Sequence, residues 1–347
     1  MRILHVIFSL KYGGLETMLR DLTAQQCLTD DVTVLIINDM VDPGLLSTFD
    51  SRVKVLRYNR REGSNPLWLM LRLNIDARRL AADVIHMHNP KAPGLLRGLD
   101  RKLVFTIHDE RLPHRYLRPS IRMAAISEAV RADMAARMPR ADISVILNGI
   151  TPGTIAVRSA RRPGPEFRLV QVARLDAPKK GQDILLRALA LLPGHVTLDL
   201  VGEGASMDEL RRLAATLGLA ARVNFLGLRD RNWIYSHLCE YDLMVHPSRK
   251  EGFGLTIAEA MSAALPVAVS EGGGPFEVID RGRLGAHFAL TGSDEQDARN
   301  CAEAIHSVIA DYDSALTVAQ TARQFALDHY TIARMAREYR SLYSAAR

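Results

Sequence analysis

His246-Pro247-Ser248-Arg249-Lys250-Glu251-Gly252-Phe253-Gly254-Leu255-Thr256-Ile257-Ala258-Glu259-Ala260 is the stretch that decides how this chain is read. The apolar run Leu243–Val245 leads into His246, a Gly-Phe-Gly loop follows, and a helical pattern starts near Thr256. Strand, glycine loop and helix in direct succession form the repeating unit of a parallel sheet covered by helices. Such a loop presents backbone N–H groups to anionic oxygens, and the dipole of the next helix adds positive potential.

Outward from this stretch the same alternation covers the chain. Strands are expected at Ile3–Phe8, Val32–Ile37, Val53–Leu56, Val84–Met87, Leu103–Ile107, Met123–Ile126 and Ile143–Leu147. Helices are expected near Leu15–Leu28, Leu67–Leu80 and Glu128–Met138. The pattern stops between Asn148 and Glu166, where Gly149, Pro152, Gly153, Pro163, Gly164 and Pro165 accompany a basic Arg158–Arg162 stretch, which marks a linker. It restarts with strands at Phe167–Val172, Val196–Val201, Val223–Phe225, Leu243–Val245 and Pro266–Val269. Helices fall near Gln182–Leu191, Met207–Leu217, Trp233–Leu238 and Ala258–Ala263, and the chain is almost wholly helical from Asp294. The fold class is therefore α/β: two doubly wound Rossmann-like domains facing across a cleft, with ligands expected beyond the carboxyl ends of the strands.

Composition bounds the reading. The 347 residues are 48% hydrophobic and 24% charged, which excludes disorder, collagen and a disulfide-stapled miniprotein. Cys27, Cys239 and Cys301 are scattered and form no CxxC pair, as expected of reduced cytoplasmic thiols. The apolar start is interrupted by His5 and reads as a first buried strand, not a signal peptide. No run approaches the ~18 uncharged apolar residues of a spanning helix. A net charge of +6 favours an anionic partner: nucleic acid, phospholipid or a phosphorylated small molecule.

Four places can carry chemistry. Gly13-Gly14 follows the first strand; it either lets backbone approach an anion at a helix N-terminus or simply makes a tight turn. Arg174 and Lys180, at the next domain's first strand end, provide two cations suited to a diphosphate leaving group, with Lys179 read as surface charge. Glu251 and Glu259 are acceptors for sugar hydroxyls, although Thr256-x-x-Glu259 also reads as a capping box. Gly202-Glu203-Gly204 and Gly272-Gly273-Gly274-Pro275 either line the cleft or are turns.

Over nearly its whole length the chain resembles retaining nucleotide-sugar glycosyltransferases of the family 4 type, which have the GT-B fold. The resemblance rests on Gly13–Glu16, Thr106-Ile107-His108-Asp109, Asn148-Gly149-Ile150, the Arg174 and Lys180 pair, and the glutamates Glu251 and Glu259 seven residues apart. It implies an acceptor domain over 1–160, a nucleotide-sugar domain over 161–325 and a helix over 326–347 crossing back to the first. Gly14 would offer backbone to the diphosphate, and Arg174 and Lys180 would neutralise it. The spacing departs from the family's by an extra Pro178-Lys179 between Arg174 and Lys180. Glu251 and the amides of Gly252, Phe253, Gly254 and Leu255 would hold donor sugar and phosphate. Glu259 would meet the ribose, the backbone near Leu228 the base, and His108 the transferring sugar. The implied reaction is metal-independent, retaining hexosyl transfer from a UDP-sugar, with GDP-mannose next, to a glycan or lipid-linked hydroxyl. Cell-surface polysaccharide or lipopolysaccharide synthesis is the implied setting.

Asp311-Tyr312-Asp313 lies in the helical tail and reads as a helix junction, not a metal motif. His86-x-His88 places two imidazoles on one strand face, but no carboxylate stands at ligand spacing. Gly-x-Ser-x-Gly is absent. Asn65–Leu80, with Arg57, Arg60 and Arg61 before it, reads equally as a core helix or as a surface that touches anionic lipid, and His114–Arg118 is a second such place. The expected location is cytoplasmic, with the inner face of the membrane left open. The competing readings are an epimerase or phosphorylase on the same fold and a basic nucleic-acid-binding protein, for which no nucleic-acid motif speaks.

Overall fold

A computed structural model describes residues 1–11, 13–64, 67–159 and 164–344, apart from the side chains of Leu67 and Met70. Arg161 and Arg162 of the linker, Asn65 and Pro66 of the basic-apolar segment, and Tyr12 lie outside the described residues.

The chain divides into two compact units, Met1–Ile150 with Thr331–Arg347, and Thr151–Tyr330. The first contains β1 (Arg2–Ile7), β2 (Asp31–Asn38), β3 (Lys54–Arg60), β4 (Val84–Met87), β5 (Leu103–Ile107), β6 (Arg122–Ala125) and β7 (Ile143–Val145). They pair in parallel in the order β3-β2-β1-β4-β5-β6-β7. Helices α1 (Gly14–Gln26), α2 (Pro43–Ser47), α3 (Leu67–Arg79) and α4 (Glu128–Arg137) connect them. β4 and β5 are buried along their whole length, as continuous apolar runs in a parallel sheet must be.

The second unit contains β8 (Phe167–Val172), β9 (Val196–Val201), β10 (Val223–Gly227), β11 (Leu243–His246), β12 (Val267–Ser270) and β13 (Ala286–Phe288), ordered β10-β9-β8-β11-β12-β13. Its helices are α5 (Ala177–Lys180), α6 (Gln182–Ala190), α7 (Met207–Thr216), α8 (Arg231–His237), α9 (Leu255–Ser262), α10 (Gly273–Val278), α11 (Asp294–Ala310) and α12 (Tyr312–His329). Its core is built from Leu185, Leu189, Leu198, Leu200, Leu243, Ile305 and their neighbours. β13 was not expected: it has three residues and lacks the β-branched run that marks its neighbours.

The structure corrects the reading of Arg158 as part of the linker. Arg158, counted with the linker, is buried in the second unit, with Nη2 2.7 Å from Asp242 Oδ1 and Nε 2.8 Å from the Tyr241 carbonyl. The triple glycine, open between cleft lining and a turn, contains the start of α10. Asp311 does lie at a helix junction, where its carboxylate accepts the Ser314 N–H at 3.2 Å and caps α12.

The last helix, α13 (Ile332–Ser344), returns to the first unit and packs on α1. Ile332, Met335, Tyr339 and Tyr343 recur at helical spacing and are its buried face. The order of each sheet reverses once, between β1 and β4 in the first unit and between β8 and β11 in the second. In open parallel sheets, ligands bind beyond the strand ends at such a reversal.

Candidate functional site

In the second unit the segments that follow β8 and β11 meet at the reversal. Lys180, the last residue of α5, is ion-paired with Glu251. His246 Nε2 lies 3.5 Å from Glu251 Oε2 and 3.0 Å from Ser248 Oγ. Burial alone would raise the Glu251 carboxyl. The hydrogen bond from His246 and the charge of Lys180 outweigh burial and hold the carboxyl at about 2. Burial lowers His246, although Glu251 opposes that shift.

Gly181 explains how the two segments come so close. Its φ is +70°, and a Cβ there would stand 2.0 Å from the Pro247 carbonyl oxygen. Arg249 braces the same loop through Asp183 at 2.7 Å and Asp294 at 3.3 Å. Neither His246 nor Arg249 was assigned a role from sequence; a histidine at a strand end and an arginine among surface-like charges carry no distinguishing signal.

The N–H groups of Gly252, Phe253, Gly254, Leu255 and Thr256 donate no hydrogen bond among the described residues. They form a run of donors at the start of α9, whose N-cap is Gly254 with φ +95°. The Phe253 side chain is buried edge-on against Tyr330, with ring centroids 5.5 Å apart, so only its backbone belongs to this run. Gly274 N donates to the Glu251 carbonyl at 3.1 Å, which ties α10 to the loop.

The capping-box reading of Glu259 fails. α9 starts at Leu255 with no side-chain cap, so Glu259 sits too far along the helix; its Oε1 accepts from Tyr235 Oη at 3.1 Å. Arg174 is exposed and its guanidinium has no partner among the described residues. Leu228, after β10, is also exposed, and its N–H reaches Glu203 Oε1 at 3.5 Å.

In the first unit, Gly14 is the exposed first residue of α1, whose N-cap Gly13 supplies no side-chain hydrogen bond. His108 follows β5 and is half-buried, and burial lowers its imidazole to about 3. His88, beyond the end of β4, holds its Nδ1 3.2 Å from His108 Nε2. His5 joins them from β1, a contact that local spacing does not reveal. The ligating nitrogens of His5, His86 and His88 lie within 4.8 Å of one another, close enough for a cation. Each of their six ring nitrogens is nevertheless engaged: with Gln26, Tyr343, Thr106, His108 or one another.

Two doubly wound parallel sheets in succession, with the last helix returned to the first, make up the GT-B architecture. Two family models match, Glycosyltransferase Family 4 over residues 12–153 and Glycosyl transferases group 1 over 166–311. The chain belongs to this glycosyltransferase family. The lipopolysaccharide core biosynthesis mannosyltransferase LpcC of Rhizobium leguminosarum bv. viciae is 30% identical over 279 residues, covering 74% of this chain and 76% of that protein. A D-inositol 3-phosphate glycosyltransferase of Mycolicibacterium smegmatis is 32% identical over 228 residues, 63% of this chain. The chain spans only 35% and 50% of two such inositol-phosphate enzymes that it matches. The crystal structure of Anabaena HepE in complex with UDP and glucose has a TM-score of 0.81 and 25% identity, covering 99% of this chain and all of that one.

Proposed function

We propose that this chain transfers a sugar from a nucleoside-diphosphate sugar to a hydroxyl of a glycan or lipid-linked acceptor, with retention of anomeric configuration and without a metal. The observation that carries the reading is the pairing of Lys180 with Glu251 beside the N–H groups from Gly252 to Thr256, which have no partner among the described residues. An ionised Glu251 accepts from sugar hydroxyls, and Lys180 offsets its charge so that phosphate can stand nearby. Arg174, with no competing partner among the described residues, neutralises the departing diphosphate. Glu259 and the backbone at Leu228 take the nucleoside, Gly14 the diphosphate, and His108 the transferring sugar.

A UDP-sugar is the favoured donor, supported by HepE having been solved with UDP-glucose. GDP-mannose stands next, supported by the Rhizobium mannosyltransferase. We further propose that the first unit touches anionic membrane through α3, where Trp68, Leu71 and Ile75 are exposed at helical spacing beside Arg72 and Arg79. No helix among the described residues is long and apolar enough to cross a membrane. The test of the main reading is a panel of sugar nucleotides screened for thermal stabilisation, followed by product analysis with the winning donor. No stabilisation by any UDP- or GDP-sugar, or donor consumption that needs no acceptor, defeats it.

A further inference from the structure

His5 and His86 are register partners in β1 and β4, the strands between which the first sheet reverses. From His5 a single file of hydrogen bonds runs to the strand end. Gln26 Oε1 lies 2.8 Å from His5 Nε2, His5 Nδ1 lies 3.1 Å from His88 Nε2, and His88 Nδ1 lies 3.2 Å from His108 Nε2. Gln26, His5 and His88 are buried, while His108 is half-buried.

The direction of these bonds is set at one end. An amide oxygen accepts and cannot donate, so His5 Nε2 must carry its proton. A neutral imidazole has one N–H, so His5 Nδ1 is bare and His88 Nε2 donates to it. By the same step His88 Nδ1 is bare and His108 Nε2 donates. Burial lowers all three imidazoles, His5 to about 4 and His108 to about 3, consistent with neutral rings. In this orientation of the amide, Gln26 Nε2 donates to the phenol oxygen of Tyr343 on α13, at 3.2 Å. Tyr343 Oη is also 2.7 Å from His86 Nδ1; donating its O–H there leaves the phenol oxygen to accept from the Gln26 amide, which favours this orientation.

We infer that Gln26, anchored by Tyr343, sets the tautomer of His108 through His5 and His88, leaving His108 Nδ1 as a bare acceptor for a hydroxyl of the bound sugar. The first half of this statement concerns the folded protein alone. The second rests on the proposed reading of His108. Gln26, His5 and His88 are thus positioning residues: they touch no substrate, and they decide whether His108 offers an acceptor or a donor.

The test begins with the unaltered protein. In ¹⁵N-histidine-labelled protein near neutral pH, long-range ¹H–¹⁵N spectra should show His108, assigned by its loss in His108→Gln, protonated at Nε2 and bare at Nδ1. A proton on His108 Nδ1 overturns the inference, because the reversed amide would run every proton the other way. Gln26→Leu, if it folds, should leave His108 in mixed tautomers and lower kcat about tenfold with the donor KM little changed. The same change in a His108→Ala background should cost nothing further. An equal loss in both backgrounds makes Gln26 merely structural and overturns the positioning role. A protein that transfers no sugar at all defeats the proposed function, while the tautomer readout still decides the inference.

Discussion

Lys180 and Glu251, 71 positions apart, form an ion pair where the segments after β8 and β11 meet. The pair neutralises a carboxylate beside the loop whose amides are proposed to hold phosphate. Without the lysine, Glu251 would repel a diphosphate; without the glutamate, Lys180 would have no fixed place.

Loss of the proposed cations should therefore act on turnover. Arg174→Ala or Lys180→Ala should each lower kcat about 10²–10³-fold, the loss typical of one donor to a developing anion. Steady-state sugar transfer measures this. Near-normal turnover in the double variant would sink the assignment.

Glu251 makes stability depend on acid. Its carboxyl is held at about 2 against an ordinary 4.5, so its contribution is complete above about 4.5 and fades as pH falls through 2. A shift of this size corresponds to about 3 kcal/mol at most. Denaturant unfolding of wild type and Glu251→Gln should show a stability gap that is constant near neutrality and narrows below pH 4.5. A gap independent of pH would show that Glu251 is not held ionised.

The buried histidines act over a different window. His5, lowered from 6.5 to about 4, and His108, lowered to about 3, stay neutral in the fold while the unfolded chain takes up protons. Their contribution is complete above 6.5 and declines as pH falls toward 3. His5→Gln should flatten this part of the stability profile. An unchanged slope between pH 6.5 and 4 would refute the neutral cluster.

Gly274→Ala probes the seat of the loop. The added methyl would meet the Gly252 carbonyl oxygen at 2.3 Å and Phe253 Cα at 2.4 Å, both backbone atoms that cannot swing aside. We expect about 1–3 kcal/mol of destabilisation, together with weakened UDP binding in calorimetry. Unchanged nucleotide affinity would separate this loop from the donor site.

Leu71→Glu on α3 should reduce sedimentation with vesicles containing phosphatidylglycerol and leave binding to neutral vesicles unchanged. Equal sedimentation of wild type and variant would remove α3 as a membrane contact. Leu71 is 65% exposed, so the substitution has little packing to lose.

Much of the fold was legible because a parallel strand buried on both faces must be a continuous apolar run. Val84–Met87, Leu103–Ile107, Phe167–Val172 and Val196–Val201 have the bounds expected of them. The glycine loop at Gly252–Gly254 was legible for another local reason: glycines have no side chain to cap the first N–H groups of the next helix, which stay open. Glu259 was legible as a polar position but not in its bonding, since Tyr235 reaches it from another helix. Arg158 read as linker charge because its partner Asp242 lies 84 positions away.

Local composition and periodicity, then, were enough to determine two parallel sheets apart from the edge strand β13, the glycine loops at strand ends and the charged residues beside them. Only the tertiary structure decided which of those residues share protons and charge. Gln26 meets Tyr343 across 317 positions and His5 meets His88 across 83. A hydrogen bond requires two atoms within about 3 Å, and that distance is set by how strands and helices pack, not by where residues stand along the chain.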